Sequence, residues 1–122
     1  PWYIYHFDNE IFSLAGIYDQ WTENTTGEVF NTFSVITTDA NDMMAVIHNS
    51  KKRMPAILDK KSENLWLDPR MSQEEVSDLL KPCPSEVLKA HTVSRLINNK
   101  TADKNTPEVI RPYDYSNQNL LF

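Results

Sequence analysis

Cysteine and glycine are scarce in this chain of 122 residues, which has one cysteine and two glycines. A single cysteine excludes an internal disulfide and a four-cysteine zinc site. Cys83 lies between two prolines, a setting typical of an ordinary loop, and we interpret it as structural or incidental. The sequence also has no glycine-rich phosphate loop and no His-x-x-x-His pair. It therefore predicts neither a metal site nor a bound cofactor.

Long apolar runs are absent as well. No run approaches the roughly 20 residues that a bilayer-spanning helix needs, and the start of the chain carries no basic and apolar signal. Hydrophobic residues make up 40% of the sequence, which is enough for one ordered core. We expect a cytoplasmic domain with no membrane partner. Because the chain begins with Pro1, we also expect it to be a piece of a longer polypeptide.

Positive charge is absent from the first 47 residues, which hold seven acidic side chains. With the net charge of -5, this composition disfavours non-specific binding to nucleic acid. Between residues 48 and 61 the balance reverses, because five basic residues face only Asp59. These are Lys51, Lys52, Arg53, Lys60 and Lys61. Such a segment is either a solvated loop or a binding surface for anions, and its composition leaves both open.

Short strands dominate the first half of the predicted fold. Residues 2–7 and 11–18 are aromatic and β-branched runs on either side of a polar turn, and they predict a hairpin. Gly16 lies inside the second run, where a glycine indicates a bulge or the close approach of another element. Residues 28–37 and 54–58 predict two further strands.

Two helices have recognisable start signals. Thr38 or Asp39 is the expected N-cap of a short helix that ends near His48. A Ser-x-x-Glu capping box begins at Ser72 and predicts a helix over residues 71–80.

The remaining pattern predicts a packed turn at residues 64–67 and a final strand at 91–97. The whole is an α+β fold of mostly short antiparallel strands with two or three short helices.

His48 is the residue of most chemical interest, since it ends a predicted helix and begins the basic segment. Nearby cations disfavour its protonated form, so we expect a neutral imidazole that can accept a proton. A helix-terminal histidine can equally do no more than bond a backbone carbonyl, and the residues alone favour that structural role. His6 and His91 lie in strand-like runs and are expected to be structural.

Seven short blocks occur in order along the chain. They read LAGIYDQW (14–21), FSVITTDAN (33–41), IH (47–48), RMPAIL (53–58), WL (66–67), VSRLINN (93–99) and PEVI (107–110). In this order the blocks resemble the SRAP (SOS-response-associated peptidase) family, and the resemblance covers nearly the whole chain. It implies a distorted barrel-like sheet, with residues 1–122 forming the C-terminal part of a single SRAP domain.

The resemblance also implies a function. In the family a cysteine, exposed at the N-terminus when the protein removes its own initiator Met, attacks the aldehyde of an abasic site in single-stranded DNA. Its thiol and amine close a thiazolidine, which crosslinks the protein to the DNA. This cysteine and an assisting Asn and Glu have no counterpart in the sequence. The missing N-terminal half of the domain is therefore an expected partner, and the chain alone is expected to be inactive.

Two assisting positions of the family do have counterparts here. His48 corresponds to a catalytic histidine, and Arg53 corresponds to an arginine that contacts DNA phosphate. Four residues separate them, more than in the shorter form of the family, so Lys51 or Lys52 is an alternative for the phosphate contact. Thr37 is expected to donate its hydroxyl to the same strand of DNA.

Two other interpretations stay open. The chain could be a non-catalytic module whose acidic first third and basic segment bind a protein partner. It could also be a hydrolase that uses His48 with Asp42 or Asp39, although no nucleophile in the chain stands out.

Overall fold

The computed structural model describes residues 1–48 and 50–116, and the chain forms two compact units. The larger unit is Ile11–Ser85, and the smaller one joins Pro1–Glu10 to the described residues from Glu86 to Ser116. The described strands are β1 (Trp2–His6), β2 (Ser13–Leu14), β3 (Gly16–Thr22), β4 (Val29–Val35), β5 (Thr37–Asp39), β6 (Arg53–Pro55), β7 (Ile57–Leu58) and β8 (Leu88–Thr92). The described helices are α1 (Asp42–Ile47), α2 (Lys60–Trp66) and α3 (Gln73–Asp78).

The predicted α+β class is confirmed, with short antiparallel strands and short helices. The described strands form four separate two-stranded ladders and do not close into a barrel. Within the described residues, no helix has both the length and the apolar character needed to cross a membrane.

Three extended segments build the larger unit, and each pairs with both of the others. β3 pairs with β4, β5 pairs with β6, and β7 returns to pair with β2. The first segment contains β2 and β3, the second contains β4 and β5, and the third contains β6 and β7. Each segment therefore changes its pairing partner between its two strands. The predicted strands at 28–37 and 54–58 are confirmed as parts of the second and third segments.

The change of partner occurs at Ala15, Ile36 and Ala56. The N–H of Ala15 donates to the carbonyl of Ala56 at 2.8 Å, and the N–H of Ala56 donates to that of Ile36 at 2.9 Å. The N–H of Ile36 completes the ring by donating to the carbonyl of Ala15 at 2.9 Å. We call this ring the three-way junction. It provides partners for backbone groups that would otherwise be buried without hydrogen bonds.

Small side chains let the three segments meet. Ala15 and Ala56 are fully buried, and they pack with Leu58 beneath Ile36 and Trp66. Leu79 and Leu80 complete this cluster.

The close approach predicted at Gly16 is confirmed. A Cβ on Gly16 would lie 3.2 Å from the carbonyl oxygen of Ser34, which is tighter than an ordinary contact. The indole Nε1 of Trp66 donates to the carbonyl of Gly16 at 3.2 Å. The indole therefore ties α2 to the first segment.

The predicted turn at residues 64–67 is wrong, because α2 continues through them to Trp66. The missed signal is Asp59, whose carboxylate accepts the backbone N–H groups of Lys61 at 3.1 Å and Ser62 at 2.7 Å. These hydrogen bonds to the charged form hold the pKa of the Asp59 carboxyl below its ordinary value. Asp59 is thus an N-cap inside the basic segment.

The capping box at Ser72 is confirmed. The Ser72 hydroxyl accepts from the N–H of Glu75, and the Glu75 carboxylate accepts from the N–H of Ser72 at 2.8 Å. The helix itself is shorter than residues 71–80 and ends at Asp78.

In the smaller unit, the predicted hairpin of residues 2–7 with 11–18 is wrong. β1 pairs instead with β8, in a register that places Trp2 opposite Thr92 and His6 opposite Leu88. The apolar alternation of a strand fixes which face is buried but not which strand is its neighbour. The final strand also begins and ends earlier than residues 91–97.

The smaller unit buries Leu88 and Val93. Past Thr92 the chain turns into a short 3-10 helix, Arg95–Asn98, because the Ser94 hydroxyl accepts the N–H of Leu96 at 3.3 Å. The imidazole of His91 bonds the carbonyl of Ile110 at 2.8 Å.

Ala56→Leu tests the three-way junction. We expect it to lower the free energy of unfolding by about 1–3 kcal/mol, because a larger side chain must displace packed backbone at a fully buried position. Urea denaturation measures the change. Val46→Leu is the matched control, since Val46 is exposed on α1, and its effect is expected to stay within about 0.5 kcal/mol. Equal effects of the two substitutions would contradict a tightly packed junction.

Candidate functional site

A continuous chain of hydrogen bonds joins three of the candidate residues. The guanidinium Nη2 of Arg53 donates to the hydroxyl of Thr37 at 2.8 Å. The imidazole Nδ1 of His48 lies 3.1 Å from the backbone carbonyl of Arg53. All three side chains are exposed. Residues that the sequence separates by up to 16 positions therefore form one surface cluster.

The three-way junction determines where Thr37 and Arg53 lie. Thr37 follows Ile36 directly, and Arg53 begins the strand that reaches the junction at Ala56. In the antiparallel ladder Arg53 is opposite Asp39, while Thr37 is opposite Pro55. Thr37 and Arg53 are thus diagonal neighbours on one face, a separation that a long side chain spans.

Helix α1 places His48. The predicted N-caps Thr38 and Asp39 are wrong, since both lie in β5, and the cap is Asn41. Its side-chain oxygen accepts the N–H of Met44 at 2.9 Å. His48 is the C-cap residue, as predicted, and its own N–H donates to the carbonyl of Met44 at 2.7 Å.

Asn41 also ties α1 to the proline-flanked loop. Its amide Nδ2 donates to the carbonyl of Cys83 at 2.9 Å, and Met54 and Met44 are buried behind the helix start. Asn41 was missed although asparagine is a favoured N-cap residue and stands directly before the acidic residue Asp42. It positions α1, and through α1 it positions His48.

Between His48 and Arg53 the chain makes a hydrogen-bonded turn, of which residue 49 lies outside the described part. The N–H of Lys52 donates to the carbonyl of His48 at 3.1 Å, and the carbonyl of Lys52 accepts from Ala40 at 3.0 Å. Lys52 has a φ of 49°, a left-handed backbone conformation that residues other than glycine rarely adopt. The longer spacing found in the sequence is accommodated by this turn.

The charges on the turn have no acidic partners among the residues that the structure describes. No carboxylate there lies within salt-bridge distance of Lys51, Lys52 or Arg53. We call Lys51, Lys52 and Arg53 the basic turn. Lys60 is separate from it, because it lies on α2 and pairs with Glu63 at 3.4 Å. The basic segment of the sequence is therefore divided between the basic turn, which follows His48, and the start of α2.

The hydrogen bonds within the cluster leave N–H donors on Arg53, the O–H of Thr37 and one nitrogen of His48 available to a ligand. A guanidinium has five N–H groups, and Thr37 occupies one of those of Arg53. The Thr37 hydroxyl accepts that bond, so its own O–H can still donate, and it has no acceptor among the described residues. A carbonyl can only accept, and Nδ1 of His48 is therefore the protonated nitrogen. Nε2 is the nitrogen through which a neutral ring accepts a proton.

Cys83 has the environment of a structural thiol. It is half-buried in the loop held by Asn41, and this burial raises the pKa of the thiol. The described residues include no group of His, Cys, Asp and Glu side chains arranged to hold a metal ion.

A family comparison identifies the chain. The SOS response associated peptidase (SRAP) family matches residues 1–100. The chain belongs to the SRAP family. The abasic site processing protein YoqW of Bacillus subtilis (strain 168) is 33% identical to it over 106 residues, which are 86% of this chain and 45% of YoqW. The abasic site processing protein HMCES of Pongo abelii is 36% identical over 111 residues, which are 88% of this chain and 29% of HMCES.

Solved structures agree with this membership. The crystal structure of a protein from Bacteroides thetaiotaomicron superposes with a TM-score of 0.85 at 42% identity, over 93% of this chain and 48% of that one. A protein from Bordetella bronchiseptica gives a TM-score of 0.65 at 26% identity, over 77% of this chain and 45% of that one. This SRAP chain thus spans less than half the length of these relatives.

The reactivity of Cys83 tests the environment of its thiol. Only the thiolate reacts with a disulfide reagent, and burial raises the pKa of Cys83, so the folded chain is expected to react with a midpoint at higher pH than the urea-unfolded chain. The pH dependence of the rate of modification by a chromogenic disulfide measures this difference. A folded-state midpoint below that of the unfolded chain would show an activated thiol instead. Cys83→Ser is the blank.

Proposed function

We propose that this SRAP chain forms the DNA-contacting wall of a protein that binds single-stranded DNA and crosslinks to abasic sites. The observation that carries the proposal is the hydrogen-bonded cluster of Thr37, His48 and Arg53 beside the basic turn. Relatives named as abasic site processing proteins support DNA as the ligand. The nucleophile is an N-terminal cysteine in the part of the domain outside this chain, exposed when the whole protein removes its initiator Met.

The proposed phosphate site is the basic turn together with Thr37. Arg53 presents its remaining N–H groups in the fork that matches two phosphate oxygens, and the bond to Thr37 fixes the direction of the fork. The Thr37 hydroxyl proton can be donated to an oxygen of the same phosphate or its neighbour. Lys51 and Lys52 add charge, and no carboxylate of residues 1–48 or 50–116 lies within salt-bridge distance of either. A local cationic site of this kind binds DNA although the chain is acidic as a whole.

His48 is the proposed proton-transfer group. An abasic sugar is a closed hemiacetal, and to open it the C1′ hydroxyl loses a proton while the ring oxygen gains one, which breaks the C1′–O4′ bond and gives the aldehyde. Nε2 of His48 accepts the hydroxyl proton and returns one to O4′. The cysteine amine then condenses with the aldehyde, releasing water to give a Schiff base, and addition of the thiol to its carbon closes the thiazolidine. The bond from Nδ1 to the Arg53 carbonyl holds the ring in the required tautomer.

This proposal places residues 1–122 in the C-terminal part of a single SRAP domain, with the rest of that domain as the partner that brings the nucleophile. A non-catalytic module for a protein partner would use the same basic turn but would form no covalent product. An abasic oligonucleotide incubated with the whole protein distinguishes the two, because only the crosslink survives denaturation.

Arg53→Gln tests the phosphate contact. We expect weaker binding of a single-stranded oligonucleotide and a slope of log K against log salt that is smaller by about 0.7, the value for one lost phosphate contact. Fluorescence anisotropy at several salt concentrations measures both. Arg70→Gln is the control, because Arg70 is a similarly exposed arginine that pairs with Asp68 at 2.7 Å, away from the basic turn. Equal slopes for the two variants would exclude Arg53 from the DNA interface.

His48→Asn separates positioning from proton transfer. An asparagine amide can donate to the Arg53 carbonyl as Nδ1 does, but it offers no basic nitrogen in place of Nε2. In a whole SRAP protein that contains this chain, we expect unchanged DNA affinity and a crosslinking rate lower by about 10²-fold. Denaturing gel time courses measure the rate, with His91→Asn as the control. A wild-type rate in His48→Asn would leave His48 with a structural role only.

A further inference from the structure

The smaller unit contains an open cavity that none of the candidate residues lines. It has a volume of about 140 Å³, and its walls are formed by Ser94, Arg95, Tyr113 and Tyr115. All four residues belong to the same compact unit. Two phenol rings, a guanidinium and a hydroxyl therefore meet at one place on its surface.

Hydrogen bonds hold the tyrosine wall of the cavity in place. The N–H of Tyr113 donates to the carbonyl of Thr92 at 2.9 Å, and the Thr92 hydroxyl donates to the carbonyl of Tyr113 at 2.6 Å. The Tyr115 hydroxyl donates to the carbonyl of Val93 at 2.9 Å. The two rings meet edge to face, with centroids 4.8 Å apart. The wall is thus preformed, and a ligand need not order it on binding.

Arg95 gives the cavity a positive charge. Its side chain is exposed, and no carboxylate in the described part of the chain lies within salt-bridge distance of it. The carboxylate of Asp114, between the two tyrosines in sequence, accepts the N–H of Ser116 at 2.8 Å instead. The Ser94 hydroxyl accepts the N–H of Leu96, so its own proton can still be donated. The cavity therefore offers a guanidinium fork and a hydroxyl to an anionic group.

The size and chemistry of the cavity favour a ligand that has both a ring and an anion. A cavity of about 150 Å³ accommodates benzene, so this one has room for a single six-membered ring. Aromatic side chains stack on nucleobases, and an arginine fork matches two phosphate oxygens. Phosphate alone would leave the aromatic wall unused, and an uncharged ring would leave the guanidinium unused. A pyrimidine nucleotide uses both.

We propose that this cavity binds one pyrimidine nucleotide, with its base against Tyr113 and Tyr115 and its phosphate on Arg95 and Ser94. A free nucleotide and a nucleotide within single-stranded DNA present the same ring and phosphate. The inference goes beyond the proposed function, because it concerns a nucleotide that keeps its base, whereas His48 is proposed to act on a sugar that has lost it. It requires neither the basic turn nor a crosslink.

Titration with thymidine monophosphate tests the cavity. A whole SRAP protein that contains this chain is labelled with nitrogen-15, and the shifts of the Ser94 and Tyr113 amide signals give a dissociation constant that is local to the cavity. We expect roughly tenfold weaker binding of thymidine, which lacks the phosphate, and of deoxyribose phosphate, which lacks the base. No shifts, or binding of either fragment as tight as that of the nucleotide, would overturn the proposal.

Arg95→Gln tests the phosphate contact. We expect it to weaken the binding of thymidine monophosphate roughly tenfold and to leave the binding of thymidine unchanged. Arg111→Gln is the matched control, because Arg111 is an exposed arginine of the same unit that pairs with Glu108 at 3.3 Å. An effect of at most twofold is expected for it. Equal weakening by the two substitutions would contradict a phosphate site at Arg95.

Tyr113→Leu and Tyr113→Phe test the aromatic wall. Leucine is apolar but has no ring, so we expect thymidine monophosphate and deoxyribose phosphate to bind this variant equally. Phenylalanine keeps the ring, and the preference for the nucleotide is expected to remain. Circular dichroism checks the fold of both variants, and the comparison of ligands on the unsubstituted protein does not depend on them. A nucleotide preference that survives in Tyr113→Leu would count against base stacking and overturn the proposal.

An oligothymidylate distinguishes the two sources of the nucleotide. Cavity binding that is at least tenfold tighter than that of thymidine monophosphate identifies single-stranded DNA, whereas equal or weaker binding identifies the free nucleotide, and both support the site. Arg53→Gln separates this inference from the proposed function, since it is expected to leave the cavity's affinity for thymidine monophosphate unchanged. Cavity binding without a crosslink to an abasic oligonucleotide would contradict the function alone. A crosslink without cavity binding would overturn this inference alone.

Discussion

Three backbone hydrogen bonds, closed into a ring by Ala15, Ile36 and Ala56, hold the larger unit together. Each extended segment leaves one partner and joins another at its member of the ring. A change of partner leaves backbone donors and acceptors in a place that water cannot reach, and the ring satisfies them within the protein. The cost is steric, because segments this close tolerate only small side chains at two of the three corners.

The ring determines where the strands that carry Thr37 and Arg53 lie. Thr37 and Arg53 lie on the ladder that leaves one corner, and α1 occupies the connection between their strands. His48 reaches Arg53 by the same carbonyl contact that a purely structural helix-terminal histidine makes. The two interpretations that the sequence left open are therefore not exclusive. The structural bond through one nitrogen is what orients the other nitrogen.

Sequence reasoning succeeded where the signal was local. The capping box at Ser72 depends on residues within a few positions, and the glycine at position 16 by itself indicated a close approach, so both were predicted. The partner of β1 could not be predicted, because an alternating strand pairs equally well with any suitable edge and the one it uses lies near the other end of the chain. The helix α2 was missed because the prediction of a packed turn at residues 64–67 rested on their apolar side chains. It gave no weight to Asp59, the N-cap residue, which precedes two lysines. The order of the blocks predicted His48 and Arg53 as candidate residues, whereas the hydrogen bond from Arg53 to Thr37 was not foreseen.

The order of the strands also bears on how the larger unit folds. β3 and β4 are neighbours in sequence, whereas β2 and β7 lie at opposite ends of the three segments. Closing a longer loop costs more entropy, so the topology favours early formation of the β3–β4 hairpin and late pairing of β2 with β7. The ring of hydrogen bonds is completed only at that last pairing. The contacts on which the rest of the unit depends are thus among the last to form.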